Sequence, residues 1–432
     1  MIKACILTLG CRVNQYESDF IMEELSKKGV LITSFEDIAD IYIINTCSVT
    51  GESDRKSRQF IRKCIKKNPD ATIIVTGCFS QINKDAAESI EGVDLVIGNN
   101  EKSRIADIAL SLYEGKNVRS CGFDIYNGKY DVMQVGAPLK RTRAFVKIED
   151  GCDSKCAYCI IPYARGSVRS NLPENIVKEV KSIASEGCQE VVLTGIETAS
   201  YGKDLGKDIS LASLLCEVNK IEGISRIRLG SLDPFNITPE LVDKIASLDK
   251  IMPHFHISMQ SGCTKTLNSM RRKYNIEGAK KSLDYLKSKF KDLMLSADII
   301  VGFPGESDED YIDTYDFLEK QRFLHLHLFP YSKRAGTPAA TMDEQVPEVI
   351  KKARLHSLEL LQKKIKGELL NEFLASHDEV DVLFESYDGE YAIGHTPNFI
   401  ELKAKCTSEQ GNIIHRVKLL STDGEYLYGE II

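Results

Sequence analysis

The sequence predicts an α/β protein in three parts: an N-terminal α/β sheet domain, a partial (β/α)6 barrel and a small C-terminal antiparallel β-barrel. Three observations carry this. Short apolar runs alternate with helical patterns across residues 1–125, as in a parallel sheet with crossover helices. The alternation resumes at Thr142 and repeats through six βα units to about His356. Beyond residue 378 it gives way to short alternating stretches with Asp388-Gly389 and Asp423-Gly424 turns, the pattern of antiparallel hairpins.

In the first part, strands are expected at Ala4–Leu9, Ile41–Asn45, Thr72–Thr76 and Leu95–Ile97. Each is short, apolar and either β-branched or flanked by turn residues. Helices are expected near Tyr16–Lys28, Asp54–Lys67 and Gln81–Ile90. Residues 126–141 are glycine-containing and aperiodic, and read as a linker. In the second part, 142–365, strands are expected at Ala144–Glu149, Glu190–Thr194, Arg226–Leu229, His254–Ser258, Met294–Val301 and His325–Pro330. Six such units suit a partial barrel, although the pattern alone does not separate it from an open sheet. A long helix is expected from about Pro347 to Leu374, with Pro347 at its first position, where the missing N–H has no partner to lose. The third part, 366–432, holds strands at Glu379–Glu385, Tyr391–Gly394, Phe399–Lys403, Ile413–Leu419 and Tyr426–Ile431.

The 432 residues carry 28% charged and 43% hydrophobic side chains, an ordinary globular balance. No run of 18 apolar residues marks a membrane span, and MIKACILTLG lacks the long apolar core of a signal peptide. The expected location is cytoplasmic, with no membrane partner. Thirteen cysteines are odd in number and sit in a long chain, so metal binding is a better reading than a disulfide scaffold. A formal charge of −7 gives no general grip on nucleic acid and no reason to expect DNA; any such partner must use local basic patches.

The strongest motif is Cys152-Asp-Ser-Lys-Cys156-Ala-Tyr158-Cys159, led by Gly151. Three thiolates in eight residues can converge on one metal centre. A 4Fe–4S cluster takes one ligand on each of four irons, so three cysteines leave one iron open to a small molecule. A zinc site completed by a distant residue is the alternative, but zinc sites typically pair CxxC elements or add His. This CxxxCxxC motif, with an aromatic before its last Cys, resembles the signature of the radical S-adenosylmethionine (SAM) superfamily. The resemblance implies a radical SAM barrel whose open iron binds SAM, and reduction by a small-protein or flavin electron donor that releases a 5′-deoxyadenosyl radical. It also implies SAM contacts at strand ends: Tyr158 beside the cluster, Gly195 and Glu197 in Thr194-Gly-Ile-Glu197, Ser258 and Gln260 in Ser258-Met-Gln260, Val301 in the segment Ile299–Glu306, and Arg271. Taken singly, each glycine could be no more than a βα-turn residue.

Cys11, Cys47 and Cys78 each lie just after an expected parallel strand. Strand ends gather at one sheet edge, so three residues far apart in sequence can meet there; three unrelated buried thiols are the bland alternative. The surrounding motifs resemble the methylthiotransferase family over essentially the whole chain. That resemblance implies a second, auxiliary 4Fe–4S cluster held by Cys11, Cys47 and Cys78, a radical SAM domain, and a C-terminal TRAM domain signalled by Gly394-His-Thr-Pro-Asn-Phe399. It leaves Cys5, Cys64, Cys121, Cys188, Cys216, Cys263 and Cys406 as structural. The family acts on isopentenyladenosine or N6-threonylcarbamoyladenosine (t6A) in tRNA, or on an aspartate of a ribosomal protein. Gly10–Ser18, with Arg12-Val13, and His254–Gly262 resemble the t6A branch. The implied substrate is therefore a tRNA anticodon stem–loop, methylthiolated at C2 of t6A at position 37. A non-catalytic, zinc-containing RNA-binding protein is the rival from another class.

Seven basic residues fall within residues 55–67. On a helix Arg55, Arg58, Arg62 and Lys66 share a face, which is either a phosphate contact or a solvated surface. Residues 363–432 carry seven Lys/Arg against thirteen Asp/Glu, so RNA contact there is expected only from a local face: Lys403, Lys405, Arg416 and Lys418.

Overall fold

The computed structural model describes residues 1–126, 128–136, 142–408, 410–411 and 413–432. Five parallel strands form the first sheet, in the order Leu31–Ile32, Lys3–Thr8, Ile41–Thr46, Thr72–Gly77 and Leu95–Val96. The central strand Ile41–Thr46 is buried along its whole length, as a strand covered by helices on both faces must be. The helix Gly51–Lys67 begins where Thr50 caps the Ser53 N–H at 3.1 Å, with Glu52 and Asp54 in its first turn and Lys66 and Lys67 in its last. These charges complement the helix dipole. The pattern over Gln81–Ile90 resolves into two short helices, Cys78–Ile82 and Lys84–Glu88, broken at Asn83. A further helix, Ile105–Tyr113, closes the sheet.

Six parallel strands make the open barrel: Arg143–Lys147, Glu190–Thr194, Arg226–Leu229, His254–Gln260, Met294–Val301 and His325–Pro330. The third and fourth are joined by single bridges, Ile227 to Ile251 and Leu232 to Ile257. Glu149 and Asp150 leave the first strand to pair with Arg169 and Ser170. One large apolar core lies between the barrel and its helices.

The helix Glu348–Ser376 starts one residue later than expected, with Pro347 as its N-cap. Leu358, Leu361 and Ile365 pack into the barrel core, whereas Leu370 and Phe373 pack into the core of the C-terminal barrel. That barrel is closed by five strands, Glu379–Tyr387, Tyr391–His395, Glu401–Lys405, Leu427–Ile431 and Ile414–Thr422 in spatial order. Every pair is antiparallel except Glu401–Lys405 with Leu427–Ile431. An odd number of strands cannot alternate all the way round a closed ring, so one parallel pair is a geometric necessity.

Of the linker expected at 126–141, residues 127 and 137–141 lie outside the described residues. The remainder is pinned down: the Tyr16 hydroxyl donates to the Met133 carbonyl at 2.7 Å, the Val135 N–H to Glu179 at 3.1 Å and the Gly136 N–H to Glu23 at 2.9 Å. The N-terminal sheet is thereby held against the barrel. A buried ionic cluster reinforces the junction. Arg165 reaches Glu17 at 2.8 Å and Asn14 at 2.6 Å, and Lys102 and Lys147 also pair with Glu17.

Candidate active site

The Cys152–Cys159 loop turns on Gly151, whose φ is +79°; a Cβ there would lie 1.9 Å from the Ser167 carbonyl oxygen. Glycine alone satisfies both constraints. The Ser154 N–H points at the Cys152 sulfur at 3.4 Å, the Ile161 N–H at the Cys159 sulfur at 3.5 Å, and the Arg272 guanidinium at the Cys156 sulfur at 3.3 Å. Each sulfur thus has one donor aimed at it, the arrangement that stabilises thiolate ligands. Burial pushes the Cys152 thiol up to about 11 and the Cys159 thiol to about 12. A cation bound there would reverse that cost.

The three cysteines line a cavity of about 280 Å³ at the carboxyl ends of the barrel strands. Tyr158, Glu197, Ser258 and Gln260 share its wall. Burial, followed by the nearby Asp233, raises the Glu197 carboxyl to about 7. The Arg272 guanidinium joins the wall together: it pairs with Asp233 at 2.6 Å and donates to the Ser258 carbonyl at 3.0 Å and the Tyr158 hydroxyl at 3.4 Å.

Three of the expected contacts lie elsewhere. Gly195 is not on the cavity wall; it makes room for the Glu149 carboxylate, whose oxygen would sit 1.9 Å from a Cβ at 195. Val301 faces the helix-covered core, and its neighbour Ile300 faces the cavity, as strand alternation requires. Arg271, with φ +58°, turns away into a separate recess of about 450 Å³ behind the cysteines, while Arg272 turns in. Arg271 and Arg272 are adjacent, and the sequence does not show which of the two faces inward. Asp233, after the third strand, carried no motif.

Cys11, Cys47 and Cys78 stand together at the carboxyl edge of the N-terminal sheet. Cys11 caps the helix Arg12–Lys27, Cys47 follows the strand Ile41–Thr46, and Cys78 opens the helix Cys78–Ile82. Gly10, with φ +96°, lets Cys47 approach: a Cβ there would lie 2.7 Å from the Cys47 sulfur. Burial, with Cys78 next in effect, raises the Cys47 thiol to about 11, and burial chiefly raises Cys11, which also feels Cys78. Val49 and Thr50, just past Cys47, form part of the wall of the 280 Å³ cavity. Their loop is fastened to the barrel by Arg334, which reaches Ser48 at 2.7 Å and Asp54 at 2.8 Å, and by the Gly51 N–H on Ser332 at 3.0 Å.

Two family models match the chain, the radical SAM superfamily over residues 146–318 and "Uncharacterized protein family UPF0004" over residues 3–98. The chain is 39% identical over 431 residues to a protein of Bacillus subtilis (strain 168) named threonylcarbamoyladenosine tRNA methylthiotransferase MtaB, covering 98% of this chain and 95% of that one. The chain belongs to the radical SAM methylthiotransferase family. The MtaB protein of Aquifex aeolicus (strain VF5) is 38% identical over 415 residues, covering 96% of this methylthiotransferase and 99% of the relative. A tRNA-2-methylthio-N(6)-dimethylallyladenosine synthase of Thermoanaerobacter pseudethanolicus is 39% identical over 373 residues, covering 84% and 78%. Among solved structures, the radical SAM methyltransferase TsrM of Kitasatospora setae shares the fold at a TM-score of 0.59 and 14% identity, covering 78% of this chain and 74% of that one.

Among the described residues, no three His, Cys, Asp or Glu side chains close on one point as ligands of a single ion. The donor set of the methylthiotransferase, three thiols each met by an N–H donor, fits the 4Fe–4S cluster of a radical SAM enzyme. No helix among the described residues is long and apolar enough to cross a membrane.

The basic surfaces are less free than their sequence suggests. Arg55, though exposed, pairs with Glu52 at 2.6 Å, and Arg58 lies over the Phe79 ring at 5.7 Å; Arg62 and Lys66 are the other exposed members of that face. On the C-terminal barrel Arg416 bridges Glu379 and Asp381, Lys405 pairs with Glu390 and Lys403 covers the Tyr426 ring. Lys418 remains exposed.

Proposed function

We propose that this enzyme adds a methylthio group to C2 of t6A at position 37 of tRNA, using SAM and two 4Fe–4S clusters, one held by Cys152, Cys156 and Cys159 and the other by Cys11, Cys47 and Cys78. The observation that carries the two-site reading is the cavity shared by the two halves: Val49 and Thr50, which follow Cys47, face the same space as the second cysteine triad. The names of the full-length relatives support t6A as the substrate. Residues 1–125 then form the auxiliary-cluster domain, 142–365 the radical SAM domain and 366–432 the TRAM domain. The change of core within the helix Glu348–Ser376, between Ile365 and Leu370, supports the second boundary.

C2 of adenine carries an unactivated C–H bond that no side-chain base can ionise, so a cofactor must supply the reactivity. The cluster and SAM, when bound, supply an electron and a deoxyadenosyl radical. The chain's own residues bind and orient. Glu197 offers a carboxyl to the SAM ammonium, whose charge would favour its ionised form. Arg272 fixes Tyr158, Ser258 and Asp233 in one wall and donates to the Cys156 sulfur. The Arg334 clasp holds the Cys47 loop over the cavity and limits water entry. The electron comes from a small-protein or flavin donor, and the anticodon stem–loop approaches through Arg62 and Lys66.

Mass spectrometry of tRNA nucleosides from a deletion strain tests the substrate. Loss of the methylthio derivative of t6A is expected; its persistence overturns the reading. Iron analysis of the anaerobically reconstituted protein tests the cluster number. About eight irons per chain are expected, halved when Cys11, Cys47 and Cys78 are replaced by Ala; about four in the unmodified chain overturns the two-cluster assignment.

A further inference from the structure

A second cavity, of about 250 Å³, lies in the other half of the barrel interior, lined by the first halves of the strands. Asp298 faces the first cavity and its partner His256, at 3.1 Å, faces the second, so this pair forms the partition between them. Phe399 of the C-terminal barrel closes the floor. Its ring stacks between His254 and His395 at 4.6 and 4.4 Å, with Arg143 and Arg228 over it at 5.1 and 4.9 Å.

The charges in this cavity are unevenly satisfied. Arg143 pairs with Glu385 at 2.7 Å and Arg228 with Glu190 at 2.8 Å. Burial holds His254 well below its ordinary pKa and His325 at about 3, so both imidazoles are neutral. Arg12 is different. Its guanidinium lies 5.7 Å from the Phe145 ring, and among the described residues no carboxylate stands within ion-pairing distance. Arg12, Arg143 and Arg228 share the wall of this cavity, and Arg12 is exposed. An exposed guanidinium with no such carboxylate partner is available to pair with an anionic ligand that enters the cavity. Arg12 also follows Cys11 directly, so it sits one residue from the thiol trio proposed to hold the second cluster.

We propose that this cavity receives the carboxylate-bearing side chain of the substrate base and that Arg12 is the specificity-determining residue that binds the carboxylate. The inference rests on the t6A reading above. In adenine, C2 and C6 flank the same ring nitrogen and C6 bears N6, so a base with C2 held beside Cys11, Cys47 and Cys78 would carry its N6 chain toward the adjacent Arg12. A guanidinium grips a carboxylate through two parallel hydrogen bonds. A hydrocarbon substituent in the same place would strip water from the Arg12 guanidinium without supplying a partner, which disfavours it.

The test compares two anticodon stem–loops, one carrying t6A and one carrying its methyl ester, by fluorescence anisotropy with the reconstituted holoenzyme. The unmodified enzyme should bind the ester about tenfold to a hundredfold more weakly. Arg12→Gln should bind both RNAs alike, and Arg12→Lys should keep part of the preference. Equal binding of acid and ester by the unmodified enzyme, which needs no variant to fold, overturns the proposal, as does an undiminished preference in Arg12→Gln. Methylthio product is assayed on the same t6A stem–loop. No product from the unmodified enzyme overturns the t6A reading and this inference with it; product without acid-over-ester preference overturns the inference alone.

Discussion

Replacing Gly195 by Ala probes the loop that carries Ile196 and Glu197 to the 280 Å³ cavity, without touching any cysteine. The Cβ added at 195 would lie 1.9 Å from a Glu149 carboxylate oxygen and 2.6 Å from its carboxyl carbon. The same oxygen accepts the Glu197 N–H at 2.8 Å. Glu149 is fully buried, so it has no route into solvent and must either shift or push the 195–197 loop outward. Overpacking of this kind costs about 1–3 kcal/mol. Leaving the buried Glu197 amide without its acceptor costs a further 1–3 kcal/mol or so. The expected destabilisation is therefore about 2–6 kcal/mol, read by urea unfolding of the anaerobic holoenzyme. Ile196 and Glu197 line the cavity, so SAM affinity, read by calorimetry, should fall too; a distortion of about 2 kcal/mol there is about thirtyfold. Glu149→Ala removes the colliding group, and in that background Gly195→Ala should lose at least about 1 kcal/mol of its penalty. A Gly195→Ala enzyme as stable as the unmodified one, or penalties that simply add in the double variant, would refute the reasoning.

Burial, with the charges of Asp150 and Glu197, lifts Glu149 to about 8 from an ordinary 4.5. A folded pKa raised in this way means that its stabilising contribution is complete below the ordinary value and lost as pH rises through about 8, so the unmodified enzyme should lose about 2–3 kcal/mol relative to Glu149→Gln between about pH 6 and pH 9; a pH-independent difference in urea unfolding contradicts this. For Glu17, burial raises the pKa but Arg165, Lys102 and Lys147 outweigh it and hold the carboxylate well below its ordinary value. Its stabilisation is present above the ordinary carboxylate pKa and lost as pH falls through the depressed one, and at neutral pH Glu17→Gln should cost about 3–5 kcal/mol by stranding buried cations; a loss under about 1 kcal/mol would show that the cluster carries no net stability. Arg272→Met removes the donor to the Cys156 sulfur and should lower the cluster's reduction potential by about 40 mV, the equivalent of one hydrogen bond of about 1 kcal/mol; an unmoved potential in a redox titration followed by electron paramagnetic resonance denies Arg272 that role.

What the sequence revealed depended on range. Strands such as Ile41–Thr46 and Met294–Val301 are runs of β-branched and apolar residues, so local pattern located them to within a residue or two. The break at Asn83 left only a weak local trace, a single Asn that serves as N-cap of Lys84–Glu88 within a stretch otherwise of helical composition; Phe79 and Ala87, on either side of it, pack into one core. Side-chain direction was hardest to read. Arg271 and Arg272 are adjacent and identical in type, and a single left-handed residue decides which of them meets the cavity. The setting of the basic face of the C-terminal barrel was hidden for a related reason: Arg416 reaches Glu379 and Asp381 across a strand pairing that spacing does not show.

The relation between the two cysteine sets is the least local feature of all, and it has an electrostatic logic. Arg165 lies just beyond Cys159, and Asn14 and Glu17 lie just beyond Cys11, so the Arg165 contacts tie one cysteine loop to the other through fully buried groups. Around this tie, among the described residues, Lys102, Lys147, Arg165 and Arg169 form their ion pairs with Glu17 and Asp150, four cations on two carboxylates. Burial alone would make such a surplus of cations costly. The surplus becomes intelligible once the neighbouring sulfurs carry charge. Burial lowers the Lys102 pKa, while Glu17 and a Cys78 thiolate raise it, and Cys78 and Cys11 act in the same direction on Arg165. Because coupling of this kind is reciprocal, the same cations favour ionised thiols at the sheet edge. The network that ties the two cysteine loops together would thus also supply the positive charge that the proposed thiolate ligands require.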